Sequence, residues 1–144
     1  MHRRRNDRRM TPESALHAYL SYRDAPAGLR WLEQVGFTIV TRQDGPDGEV
    51  VHAEVRLGDV VLMVASADAE YDVPELIGRS TGGGLYLWLP ESSAVDDWYT
   101  RATTAGAREV IPPEDTEWGT RRCRVLDPES HEWSVGTYRP GTTW

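Results

Sequence analysis

The sequence has no lysine, a single cysteine, a single phenylalanine and no long apolar run. One cysteine, Cys123, cannot form an internal disulfide, so packing alone must hold the fold. A reducing compartment, the cytoplasm, is the expected location. No apolar run approaches the ~20 residues of a membrane span. The start, Met1 to Arg9, is basic but has no apolar stretch behind it, so it does not read as a secretory signal. With lysine absent, all sixteen basic residues are arginine, which we read as codon usage in a GC-rich genome and not as chemistry. No Ser-His-Asp or Cys-His arrangement can be argued from spacing. The run Gly82-Gly83-Gly84 precedes a strand and not a helix, which excludes a phosphate loop.

What is present fits one domain, or two small halves sharing a core, in 144 residues. A chain this long buries roughly 68–70% of its unfolded surface and folds without staples. Charge is uneven. Residues 1–9 carry five Arg and one Asp, net +4; the rest carries eleven Arg against twenty-two acids, net −11. An acidic body repels nucleic acid, which argues against such a partner. Residues 1–14 read as a disordered basic tail that could touch RNA, DNA or anionic lipid.

Periodicity organises the remainder. Leu16 to Tyr22 reads as a strand. Asp24 caps a helix over Ala25 to Val35, with Pro26 in its first turn, an apolar stripe of Leu29, Leu32 and Val35, and Gly36 as its stop. Phe37 to Thr41 is a strand, and Val50 to Leu57 with Val60 to Ala65 is a hairpin turning at Gly58-Asp59. After a longer connection, Ser66 to Gly84, the pattern restarts. Leu85 to Leu89 is a strand. Ser92 or Ser93 caps a helix with Val95, Trp98, Tyr99 and Ala102 on its apolar side, and Gly106 stops it. Ala107 to Ile111 is a strand, Pro112-Pro113-Glu114-Asp115 a loop, and a second hairpin turns at Asp127-Pro128-Glu129-Ser130. Tyr19-Leu20 matches Tyr86-Leu87, Trp31 matches Trp98, and Gly36 matches Gly106. The expected fold class is α+β: two tandem βαβββ modules, residues 15–66 and 84–138 of a single domain 15–144, forming a curved mixed sheet around a cavity.

These pieces resemble the vicinal-oxygen-chelate superfamily of glyoxalase I, extradiol dioxygenases, and fosfomycin- and bleomycin-resistance proteins. The resemblance rests on Tyr19 to Ala27 with Gly36-Phe37, on His52 to Val55 with Leu57-Gly58-Asp59, and on Arg101-Ala102 with Ala105-Gly106-Ala107. It continues through Trp118-Gly119-Thr120-Arg121 and Asp127 to Trp133. It spans residues 16–140 and is specific for fold more than for function.

Catalytic members hold a divalent metal with His, Gln or Glu from four inward strand positions. His17 matches the first. The resemblance puts Leu62 at the second, the strand Leu85 to Leu89 at the third and Ser134 at the fourth. One ligand of four does not hold a metal, so no metal and no cofactor are expected. An unusual site from His17, Glu54 and Glu132 is the alternative, and it would go with a lyase, isomerase or dioxygenase. His131, in a turn, reads as structural or exposed.

The chain has six Trp and six Tyr, and Tyr19, Tyr22, Tyr86, Trp88, Trp118 and Trp133 lie on strands or loops that would line or rim the cavity. Aromatic rings bind flat ligands by stacking and cations by their π faces. The expected ligand-binding residues are therefore His17, Tyr19, Ser21 and Glu54 on one side, and Trp118 and Ser134 on the other. Trp133 alternates away from Glu132 and Ser134, toward the second helix or the cavity; parity alone leaves both open. The implied function is binding or sequestration of a hydrophobic or aromatic small molecule, cationic antibiotic-like molecules included. The resemblance implies a homodimer.

Overall fold

The computed structural model describes residues 13–67 and 81–141. Most of the basic tail and most of the connection between the halves lie outside the described residues. The elements run β1 (Tyr19–Tyr22), α1 (Ala25–Gln34), β2 (Thr38–Asp44), β3 (Val50–Leu57), β4 (Val60–Ser66), β5 (Leu85–Trp88), α2 (Ser92–Thr104), β6 (Arg108–Asp115), β7 (Arg121–Leu126) and β8 (Glu132–Gly136). They build two four-stranded sheets of order β1-β4-β3-β2 and β5-β8-β7-β6, and neither closes into a barrel. In each sheet the first strand pairs parallel to the last of its module, and the other pairings are antiparallel. The fold is α+β, built as two βαβββ modules.

The repeat extends to backbone detail. Gly36 and Gly106, just past the two helices, share a φ of +111°, a region that only glycine enters freely. Leu20 and Leu87 are both buried beneath their helices, whereas Tyr19 and Tyr86 both point to the open face. The Asp24 carboxylate accepts from Ala27 N at 3.1 Å and caps α1.

Four expectations are corrected. The N-cap of α2 is Glu91 and not a serine, and its side chain makes no capping bond; Ser92 already lies in the first turn. Pro112-Pro113-Glu114-Asp115 is strand and not loop. Prolines are tolerated there because β6 is an edge strand, and the pairing register shifts between Ile111 and Glu114. The first strand is shorter than its apolar run, since Leu16 lies exposed outside the sheet. The fourth concerns register: Leu62 is buried on the helix side of β4, so Val61, Met63 and Ala65 occupy the open face.

The modules meet along two seams. In the first, Trp31 of α1 meets Trp98 of α2 edge-on at 6.2 Å between ring centroids, and Trp133 of β8 lies 5.5 Å from Trp31. Phe37 closes the cluster on Trp133 at 6.0 Å. The Trp31 indole N–H donates to Ala102 O at 3.2 Å. Trp133 therefore belongs to the helix side.

The second seam is polar. Tyr22 lies beneath Gly28, where a Cβ would come within 2.9 Å of its ring. Its hydroxyl donates to Asp127 Oδ2 at 2.7 Å. Asp127 Oδ1 also accepts from the backbone N–H groups of Glu129 and His131, each at 3.0 Å. The Glu129 carboxylate reaches back to accept from Arg23 N at 2.8 Å and Asp24 N at 2.9 Å. The Asp127-to-His131 turn thus clasps the start of α1.

Candidate ligand-binding site

Both sheets bury one face under the helices, and among the described residues the other face is open. On the first, strand alternation places Tyr19 and Ser21 together, opposite Leu20 and Tyr22. The register puts Met63 beside Tyr19 and Glu54 beside Met63, so Tyr19, Ser21 and Glu54 share this face. His17 joins them at the strand's entry, with Nδ1 2.9 Å from Val61 O. Glu54 is not isolated, because His52 Nε2 lies 2.8 Å from its Oε2. On the second sheet Ser134 lies between Tyr86 and Arg124. Arg124 Nε donates to Ser134 Oγ at 2.9 Å.

The structure brings the expected residues together as two groups. No strand of the first sheet has a Cα within 8 Å of a strand of the second. Tyr19, Ser21 and Glu54 are therefore not brought against Ser134 within one chain.

An apolar concavity belongs to the second module. It measures about 630 Å³ and is walled by Tyr86, Trp118 and Tyr138 with Thr116, Thr120, Arg121 and Arg122. A cavity of about 280 Å³, containing Ser134, Arg124 and Glu132, adjoins it across Tyr86 and Arg122.

The loop carrying Trp118 is built tightly. Thr116 N donates to Thr120 O at 2.8 Å, Gly119 N to Thr116 O at 3.2 Å, and Gly119 takes φ +83°. The first module uses the same turn: Gly45 N donates to Glu49 O at 2.8 Å, Gly48 N to Gly45 O at 3.3 Å, and Gly48 has φ +84°. Asp47 there occupies the place of Trp118. One scaffold thus carries an exposed carboxylate in the first module and an indole that is 65% exposed in the second. Large rings held at a loop tip by a rigid hairpin mark a binding surface more often than a core.

Below this loop Arg121 is braced by two carboxylates, with Nε on Asp96 Oδ1 at 2.7 Å and Nη1 on Asp115 Oδ1 at 2.9 Å. Hydrogen bonds to Asp96 and Asp115 hold its guanidinium firmly protonated. Tyr86 donates its hydroxyl to Tyr138 O at 2.6 Å, and burial raises its pKa. Sequence reasoning placed Trp118 and Tyr86 near a cavity but missed Thr116, Thr120, Arg121, Arg122 and Tyr138. The run Trp118-Gly119-Thr120-Arg121 carried a signal for the loop and for Arg121. Tyr138 ends the β-prone run Glu132 to Tyr138 with the parity of Ser134, but β8 stops at Gly136, so alternation did not place it.

A divalent metal, which the fold implies for catalytic relatives, does not fit this donor set. At the open-face positions stand His17, then Val61 and Met63, then Tyr86 and Trp88, then Ser134; only His17 is an effective ligand. Glu54 and Glu132, the alternative ligands, lie on different sheets and are apart within one chain, and Glu54 is engaged by His52. Among the described residues no three His, Cys, Asp or Glu side chains converge on a common point that could hold a metal. His131 sits in the Asp127 clasp, where its hydrogen bond to Asp127 raises its pKa, so its role is structural.

Two βαβββ modules, each with a helix over one face of a four-stranded mixed sheet, define the class of α+β folds to which this domain belongs. The chain belongs to the Glyoxalase/Bleomycin resistance protein/Dioxygenase superfamily, whose family model matches residues 14–135. It is 32% identical over 131 residues to an uncharacterized protein of Mycobacterium bovis, covering 86% of this chain and 83% of that one. Among solved structures it is similar to TioX from Micromonospora sp. ML1, with 30% identity, a TM-score of 0.68, and coverage of 88% of this chain and 100% of that one. A bleomycin resistance determinant encoded on transposon Tn5 shares the fold at 19% identity and a TM-score of 0.59, covering 88% of this chain and 99% of that one. Among the described residues no helix is long and apolar enough to cross a membrane.

Proposed function

We propose that this protein is a cytoplasmic, metal-free binding protein that sequesters a small hydrophobic or aromatic molecule of antibiotic-like character. The observation that carries this reading is the concavity walled by Tyr86, Trp118 and Tyr138. Its volume of about 630 Å³ falls in the range of small-molecule sites, and its wall is apolar with few polar groups. A bleomycin resistance determinant shares the fold, and withdrawal of free drug by binding needs no catalytic group.

We further propose a homodimer in which the first-module face of one copy covers the second-module face of the other. Two observations support it. Tyr19 is 52% exposed and Tyr86 41% exposed on sheet faces that none of the described residues covers, and a half-covered sheet gains by burying its second face. Such pairing would set His17, Tyr19, Ser21 and Glu54 opposite Trp118 and Ser134 across one ligand. A thermal-shift screen with planar aromatic compounds tests the binding reading, since a ligand at 100 times its Kd adds about 2.7 kcal/mol of stability. A mass of two chains by light scattering supports the dimer, and a single-chain mass at micromolar concentration contradicts it.

A further inference from the structure

We propose that the concavity beneath Trp118 selects uncharged planar ring systems over anionic and cationic ones, because the charged groups of its wall are already committed to one another. This rests on the reading of that concavity as the ligand site and narrows its ligand class.

The wall holds two arginines. Arg121 is claimed by Asp96 and Asp115, and Arg122 by Glu114, with Nε at 2.9 Å and Nη2 at 2.8 Å from the same carboxylate oxygen. An anion entering here competes with Asp96, Asp115 and Glu114 for the two guanidinium groups. A cation fares no better. It competes with the two guanidinium groups for those three carboxylates, and the Glu54 that the proposed dimer sets across the ligand is engaged by His52. Cation–π attraction to an exposed ring such as Trp118 is weak.

The neutral polar groups are also engaged. The Tyr86 hydroxyl proton goes to Tyr138 O, and the Thr116 and Thr120 hydroxyl oxygens lie 2.7 Å apart as partners. The rings of Tyr86, Trp118 and Tyr138 line the concavity. Flat neutral rings are stacked by such a wall with no charge to compensate.

Three isosteric probes separate the cases: naphthalene-2-carboxamide is neutral, naphthalene-2-carboxylate anionic, and protonated naphthalene-2-carboxamidine cationic. Each is titrated calorimetrically into the full-length protein and into Trp118→Phe, at low and high salt. The expected result is that the amide binds at least about tenfold more tightly than either ion, with an affinity indifferent to salt and weakened in Trp118→Phe. The inference is overturned if the carboxylate or the amidinium binds as tightly as the amide and loses affinity in Trp118→Phe; the binding site itself then stands. If no probe binds in a Trp118-dependent manner, the site is misplaced and the inference falls with it. Circular dichroism of Trp118→Phe guards against a folding defect.

Discussion

Replacing Asp127 by alanine should cost about 3–5 kcal/mol, the range for removing one partner of a buried, hydrogen-bonded charge pair. The magnitude follows from what the carboxylate holds. Asp127 is 3% exposed. It accepts from the Tyr22 hydroxyl, from two backbone N–H groups and from His131 Nδ1, at 2.7 to 3.1 Å. Burial pushes its pKa up, but the hydrogen bonds from His131 and Tyr22 outweigh it and hold the carboxyl below its ordinary value. Alanine strands those donors in a buried site. Asparagine keeps one acceptor oxygen, and the Tyr22 hydroxyl can turn to accept from its amide, so Asp127→Asn should lose only about 1–2 kcal/mol. Tyr22→Phe removes one bond and should fall in the same range of about 1–2 kcal/mol. Urea unfolding read by tryptophan fluorescence and far-ultraviolet circular dichroism measures all three. With m of about 1–3 kcal/mol/M, the alanine midpoint should fall by at least about 1 M. Because the clasp joins the modules, the two probes should remain coincident in the wild type and separate in Asp127→Ala. A loss below about 1 kcal/mol for Asp127→Ala would refute the view of this carboxylate as the hub between modules.

Three further outcomes are expected. Ser130 takes φ +73° without a side-chain bond, so Ser130→Gly should stabilise by about 0.5 kcal/mol, the left-handed penalty less glycine's entropy; a lower urea midpoint would contradict this. The His131–Asp127 pair should stabilise most between about pH 4 and 6.5. His131, with its folded pKa raised, contributes fully below its unfolded value near 6.5 and loses this as pH rises through the folded value. Asp127, with its folded pKa lowered, contributes above about 3.8 and loses this as pH falls through the folded value. The melting-temperature difference between wild type and His131→Asn should therefore shrink toward alkaline pH, and a difference constant from pH 4 to 9 would contradict the assignment. Burial, and secondarily Asp96, pushes the Cys123 thiol up to about 12, so native protein should resist a thiol-specific disulfide reagent at pH 8 until unfolded, whereas stoichiometric labelling within seconds would show the residue to be accessible.

Much of this fold was legible because its signals are local. Asp24, Pro26 and Gly36 mark the ends of α1, and the repeat of Trp31 as Trp98 and Gly36 as Gly106 exposes the duplication. Legibility failed where a local rule met a tertiary one. Prolines 112 and 113 read as a loop, but an edge strand leaves their missing donors unneeded. Ser92 reads as a cap, but the helix starts at it. Leu62 missed its face because β4 is apolar on both sides, so alternation gave no phase. Within the candidate site, Trp118 could be named from its loop. The brace of Arg121 between Asp96 and Asp115 could not, because those carboxylates come from α2 and β6, and no sequence spacing relates them.

The direct test of the central claim is a comparison of two tryptophans under one probe. Naphthalene-2-carboxamide is titrated into wild type, Trp118→Phe and Trp31→Phe while tryptophan emission is followed, with circular dichroism confirming that each variant is folded. Trp118 stands at the mouth of the concavity, whereas Trp31 is buried in the ring cluster between the modules. Quenching should largely disappear in Trp118→Phe and persist in Trp31→Phe. Quenching that survives in Trp118→Phe and vanishes in Trp31→Phe would place ligand binding at the helix seam and contradict the site described above.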